Sequence, residues 1–307
     1  MLEIYQQTIG QPVSFQGIGL HTGKKSHIKI LPANEDQGIV FKRIDLNKNF
    51  EVKATYDQVS SARLCTTLEN KHGVKVSTVE HLLAALFIKG IDNAIVEIDC
   101  EEVPIMDGSA KEFINVLKNI ELKSLQKKRK YLKISETVKL TDGERNIYIQ
   151  PSDYFEVDFN LKYENKIIGE QNNLVNFQTD NLIDIYESRT FCLYDDIEKI
   201  KKNGLAKGGS LDNAIVVDKN KILNEGGLRN ENEFVNHKIL DLAGDFMLSG
   251  YRVLGKVSCN QGGHQLTNMF LRKLFLTDAA FSIAEIKEIV ISKKRAASQQ
   301  IKLAVNA

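Results

Sequence analysis

Apolar and polar residues alternate along the first 55 positions in the manner of strands. VSFQGIGL (13–20), SHIKILPA (26–33) and GIVFKRI (38–44) carry β-branched or aromatic residues at every second place, with Gly, Asn and Asp between the segments. STVEHLLAALFIKG (77–90) then changes to helical spacing. Val79, Leu82, Leu83 and Leu86 make one apolar stripe, Ser77 and Glu80 read as a capping box, and Gly90 supplies a stop. NAIVEID (93–99) returns to strand and GSAKEFINVLKNI (108–120) to helix. A polar, basic stretch, KSLQKKRK (123–130), reads as a solvated linker and puts a domain boundary near residue 126.

The order then repeats. YLKISETVKL (131–140), NIYIQP (146–151) and YFEVDFNLKY (154–163) are strand-like, and a mixed region runs from about 180 to 225. A long helix (230–250), a strand, RVLGKVSCN (252–260), and a helix starting near His264 follow. Each half thus ends helix–strand–helix after a run of strands, a repeat of architecture without residue identity. The expected fold class is α+β. Two similar units, 1–126 and 127–307, would each carry helices on one face of a sheet, with a site between them.

A chain of 307 residues, 42% of them apolar, can fill both cores. The balance of 41 basic against 40 acidic residues leaves a net charge of +1. That gives no global field for nucleic acid or an anionic membrane, and no basic–aromatic platform exists, so nucleic acid is not an expected partner. An anionic ligand would need a local cluster of basic groups. Cys65, Cys100, Cys192 and Cys259 form no CxxC pair, which points to unpaired thiols in a reducing compartment. The N-terminal MLEIYQQTIGQPVSF lacks the plan of a secretory signal. HLLAALFIKGI (81–91) is too short for a transmembrane segment and contains Lys89. A soluble cytoplasmic protein is expected, and nothing demands more than a monomer.

Six histidines are few enough to weigh singly. His27 and His72 read as surface residues. His237 and Asp241, four apart on a helix, project from one face and can reach one ion, although a helix-surface pair has the same spacing. Asp245 lies one turn further. Glu80 points about 100° away from His81. It therefore suits a general base beside a ligand as well as it suits a cap. His264 follows Gly262–Gly263 and opens a helix whose dipole disfavours imidazolium. It either faces water or needs a carboxylate beside it. GLAKGGS (204–210) lacks the spacing of a phosphate loop, and HExxH and GxSxG are absent.

Taken together, GIGLHTG (17–23), LCTTL (64–68), STVEHLLAAL (77–86), DNAIVEID (92–99), VPIMDGSA (103–110), SRTF (188–191), LAKGGSLDNAIVVD (205–218), LNEGGLRNENEFVNHKILDLAGD (223–245) and GGH (262–264) closely resemble the UDP-3-O-acyl-N-acetylglucosamine deacetylases of lipid A biosynthesis. The likeness covers nearly the whole chain. It implies a zinc amidase that removes acetate from UDP-3-O-(3-hydroxyacyl)-N-acetylglucosamine, the committed step toward the lipid anchor of lipopolysaccharide. It also implies two similar β-α-α-β sandwich domains with the active site at their interface. By motif, the zinc ligands would be His81, His237 and Asp241, and Glu80 the general base. His264 would be the second catalytic group, oriented by Asp245. Thr190 would offer its hydroxyl to the developing oxyanion, Lys238 and His21 would bind substrate, and an insert at about 192–225 would build an acyl passage. Zinc is the expected cofactor, and iron(II) also suits a two-histidine, one-aspartate site. Two rivals stand beside this reading. One is a zinc hydrolase of the same fold with another acylated substrate. The other is a binding module with a structural metal, which would need a fourth protein ligand that is not evident.

Overall fold

A computed structural model describes residues 2–48 and 50–286. The described α-helices are α1 (Glu80–Ile88), α2 (Lys111–Lys118), α3 (Ile183–Tyr186), α4 (Tyr194–Lys202), α5 (Glu233–Met247) and α6 (His264–Leu276). The alternating N-terminal segments form a five-stranded sheet in the order Val13–Ile18, Lys25–Pro32, Ala94–Ile98, Ile39–Arg43, Glu51–Lys53. Burial follows the period of two: Ile28 and Ile30 are fully buried, while His27 and Lys29 face water. In the C-terminal half, Arg252–Asn260 is the central strand of a seven-stranded sheet. It runs parallel to Tyr131–Ile134 and Phe155–Lys162 and antiparallel to Arg145–Gln150. The chain is α+β, as its periodicity predicts.

Glu80 through Phe87 of α1 are all buried, because α2 and α5 pack against the helix. The apolar stripe expected of α1 is therefore only part of its buried surface. Each fully buried leucine there contributes about 1.5–3 kcal/mol. One continuous apolar core runs from Ile9 to Ala280 and includes side chains of both sheets. The C-terminal end of α1 is fastened to the second sheet by charge. Asp92 Oδ2 accepts from Arg129 Nη2 at 2.7 Å and Asp92 Oδ1 from Arg252 Nε at 3.2 Å. Arg252 also donates to the Phe87 and Ile91 carbonyls, the cation a helix C-terminus favours. Among the described residues no helix is long and apolar enough to cross a membrane.

Three expectations need correction. Ser77 does not cap α1: it ends a short strand, Lys75–Ser77, and its hydroxyl donates to the Glu101 carbonyl. Thr78 follows at φ +57°, a left-handed turn that starts the helix only at Glu80. The basic stretch near residue 126 is no linker. Leu122–Lys128 pairs antiparallel with Tyr5–Ile9, satisfying backbone groups that would otherwise lack partners, while its lysines stay exposed. YLKISETVKL is two strands, Tyr131–Ile134 and Val138–Asp142, broken where Ser135 and Glu136 donate to the Ala280 carbonyl.

Candidate active site

The helical spacing of α5 places His237, Asp241 and Asp245 on one face, as read from the sequence. That face crosses the first turn of α1. A Cβ on Gly244 would lie 2.1 Å from the Glu80 carbonyl oxygen, so the glycine sets how closely the two helices meet. The crossing brings His81 to the α5 face. His81 Nε2 and His237 Nε2 stand 3.5 and 3.4 Å from Asp241 Oδ1. The two imidazoles meet edge to face at 5.0 Å. One ligand atom from each of the three residues falls within 4.8 Å of the others, and all three residues are buried.

These atoms fit a metal ion. The separations are too long for good hydrogen bonds, and Asp241 Oδ1 is buried with no hydrogen-bond partner. Bonds of 2.0–2.2 Å in a tetrahedron give ligand–ligand edges of about 3.3–3.6 Å, which the two histidine–aspartate separations match. His237 Nδ1 lies 3.0 Å from the Ser188 carbonyl, to which it donates, leaving the Nε2 lone pair turned to the cluster. Burial holds the His237 pKa down at about 3, so the ring is neutral as a ligand must be. Burial alone would raise Asp241, but the charged Lys238 and His264 facing it outweigh burial and keep the carboxylate ionised.

Beside the cluster stand a third imidazole, His264, and two carboxylates, Asp245 and Glu80. His264 Nδ1 donates to Asp245 Oδ2 at 2.8 Å, and its Nε2 lies 3.7 Å from Glu80 Oε1. Burial works against the charged imidazole, but Asp245, Glu80 and Asp241 raise its pKa to about 10. Burial raises Glu80 above its ordinary range, with His264 and His81 opposing. Thr66 ties the two carboxylates together: its N–H donates to Glu80 Oε2 at 3.1 Å and its hydroxyl to Asp245 Oδ1 at 2.7 Å. Sequence reasoning missed Thr66, whose only signal is its place in LCTTL.

The remaining predicted residues form the surroundings. Lys238 Nζ donates to Asp241 Oδ2 at 3.2 Å and lies over the Phe191 ring at 5.5 Å. Its pKa is raised: burial opposes the charge, and Asp241 and Tyr163 favour it. His21 is buried, and its pKa is lowered by burial, with Glu102 opposing and His264 reinforcing. Thr190 lies two residues beyond Ser188, its backbone N–H donating to Gly108 O at 2.7 Å. None of the hydrogen bonds described for Thr190 reaches Glu80, His264 or the cluster. A cavity of about 660 Å³ lies elsewhere, past the C-terminal end of α5, where Met247, Tyr251, Arg252, Asp92 and Tyr56 line it, and none of the cluster residues does.

A family model described as UDP-3-O-acyl N-acetylglycosamine deacetylase matches residues 6–276. Three curated relatives share the name UDP-3-O-acyl-N-acetylglucosamine deacetylase. The one from Pseudoalteromonas translucida is 43% identical over 92% of this chain and 94% of its own. The relative from Geotalea uraniireducens is 42% identical over 92% of each chain. That from Shewanella frigidimarina is 41% identical over 91% of this chain and 92% of its own.

Proposed function

The chain belongs to the UDP-3-O-acyl N-acetylglycosamine deacetylase family, and on that premise we propose that His81, His237 and Asp241 hold its catalytic zinc. It is a deacetylase of lipid A biosynthesis, acting on the acetamide of an acylated UDP-amino sugar. The observation that carries the metal reading is the buried cluster of two imidazoles and one carboxylate, with Asp241 Oδ1 unpartnered. Zinc bound there would supply a Lewis acid that polarises a carbonyl and lowers the pKa of water. Iron(II) suits the same donors.

The chain's own groups supply the proton transfers. Glu80 Oε1 accepts the proton of the attacking water, and its burial-raised pKa makes it a better base than a surface carboxylate. His264 Nε2 holds a proton, kept there by Asp245 on Nδ1, and delivers it to the leaving amine. Charge developing on the acetamide oxygen is met by the Thr190 hydroxyl. Lys238 supplies the local positive charge for the sugar–diphosphate region that the near-neutral chain lacks overall. His21 lines the substrate site.

In the same proposal the chain divides near residue 126, and the segment of about 192–225 forms the acyl passage. Support comes from the three-stranded sheet of Phe191–Leu193, Ile215–Asp218 and Lys221–Ile222, beside which Tyr194 and Leu211 are exposed. The enzyme works as a monomer in the cytoplasm, a reducing compartment that suits its four free cysteines.

Glu80→Gln tests the division of labour. Zinc content should stay at the wild-type level while acetate release from UDP-3-O-(3-hydroxyacyl)-N-acetylglucosamine falls on the order of 10²–10⁴-fold. Near-normal turnover in the zinc-loaded variant would remove Glu80 from the base role.

A further inference from the structure

Glu102 belongs to none of the groups above, yet its side chain is completely buried. Four neutral donors surround it. Oε1 accepts from the His21 N–H at 2.8 Å and the Thr78 hydroxyl at 2.9 Å. Oε2 accepts from the Thr22 N–H at 2.7 Å and the Thr22 hydroxyl at 2.6 Å. Buried carboxylates persist only when their acceptor sites are filled, and here both oxygens are used twice. Room is made for them: a Cβ on Gly19 would sit 2.3 Å from Glu102 Oε2.

The two ends of this bridge matter for different reasons. Thr78 is a β-branched residue at φ +57°, a strained position directly before Val79–Glu80–His81. It is therefore a fixed point close to the reacting groups. The other end is the turn that carries His21. Its imidazole Nδ1 accepts from the Ala206 N–H at 3.4 Å, which puts the proton of the neutral ring on Nε2. That nitrogen is buried and has no hydrogen-bond partner. The His21 and Leu20 carbonyls accept from Lys207 and Gly208, so the turn is held between Glu102 and the 206–208 loop.

We infer that Glu102 is a positioning residue for the deacetylation site: it locks the His21 turn to the start of α1, so that His21 Nε2–H meets an acceptor oxygen of the acylated sugar. The inference rests on the substrate-binding reading of His21. Glu102→Gln keeps the side-chain volume but sets an amide N–H₂ against donors.

A double-mutant cycle on the zinc-loaded full chain tests it, with kcat and KM measured for wild type, Glu102→Gln, His21→Ala and the pair. Each single variant should raise KM about tenfold at unchanged zinc content. The double variant should be no worse than about the poorer single, because both changes lose one contact. Multiplying effects, or a Glu102→Gln enzyme with a lowered Tm but wild-type KM, would overturn the inference and leave the His21 reading intact. Wild-type KM in His21→Ala would sink that reading and the inference with it. Thr22→Val removes one of the four hydrogen bonds and takes the place of Glu102→Gln in the cycle, with the same outcomes, if that variant does not fold.

Discussion

His264 holds its proton against two opposing effects, burial and the positive end of the α6 dipole. Asp245, Glu80 and Asp241 prevail and raise its pKa to about 10 from an ordinary 6.5. A raised folded-state pKa stabilises the fold fully below about pH 6.5, and that stabilisation is lost as pH climbs through about 10. In the metal-free protein, the unfolding free-energy difference between wild type and His264→Gln should therefore shrink from pH 7 to 10. Urea titrations across that range measure it, and a constant difference would mean the proton is not held. A bound dication adds positive charge and lowers the window. Some of this site is legible one residue at a time. The α5 spacing and the need for a carboxylate beside His264 are local relations. Thr66 is not legible, because its partners Glu80 and Asp245 lie 14 and 179 residues away. Glu80 imitates a cap because a four-residue pattern cannot register the left-handed turn at Thr78.

Between elements, the crossing of α1 and α5 decides whether the proposed ligands His81, His237 and Asp241 meet. Gly244 sits mid-helix, where alanine would ordinarily add about 0.8–1.0 kcal/mol of helix stability. A Cβ there meets the Glu80 carbonyl oxygen at 2.1 Å, the Glu80 carbonyl carbon at 2.9 Å and the Ala84 nitrogen at 3.2 Å. These are backbone atoms, which cannot rotate away, so overpacking at about 1–3 kcal/mol outweighs propensity. Gly244→Ala should lower Tm and weaken zinc binding about tenfold or more, since His81 moves with α1 while His237 and Asp241 move with α5. Calorimetric zinc titration and thermal unfolding read the two effects, and unchanged values would show that the helices have slack. Most elements follow from period alone, with α5, α6 and the strand Arg252–Asn260 falling where expected. The strand at Leu122–Lys128 does not, because its reason to exist is the distant partner Tyr5–Ile9.

At the scale of the molecule, two architectures of the same order share one core and several charged fastenings, among them Asp92 with Arg129 and Arg252, Asp107 with Arg229 and Lys111 with Glu187. The repetition is visible in the sequence. The docking that joins the halves is not, because it depends on residues far apart in the chain, such as Asp92 and Arg252, which are separated by 160 positions. The cluster is the product of that docking, with His81 from the N-terminal half and His237 and Asp241 from the C-terminal half. The most direct measurement is zinc content and acetate release for wild type and His81→Ala, each purified under identical chelator treatment. Wild type should retain about one zinc per chain and deacetylate the UDP-linked substrate. His81→Ala should stay folded, bind zinc at least about 10²-fold more weakly and lose acetate release. A His81→Ala protein with full zinc content and full activity would contradict the account.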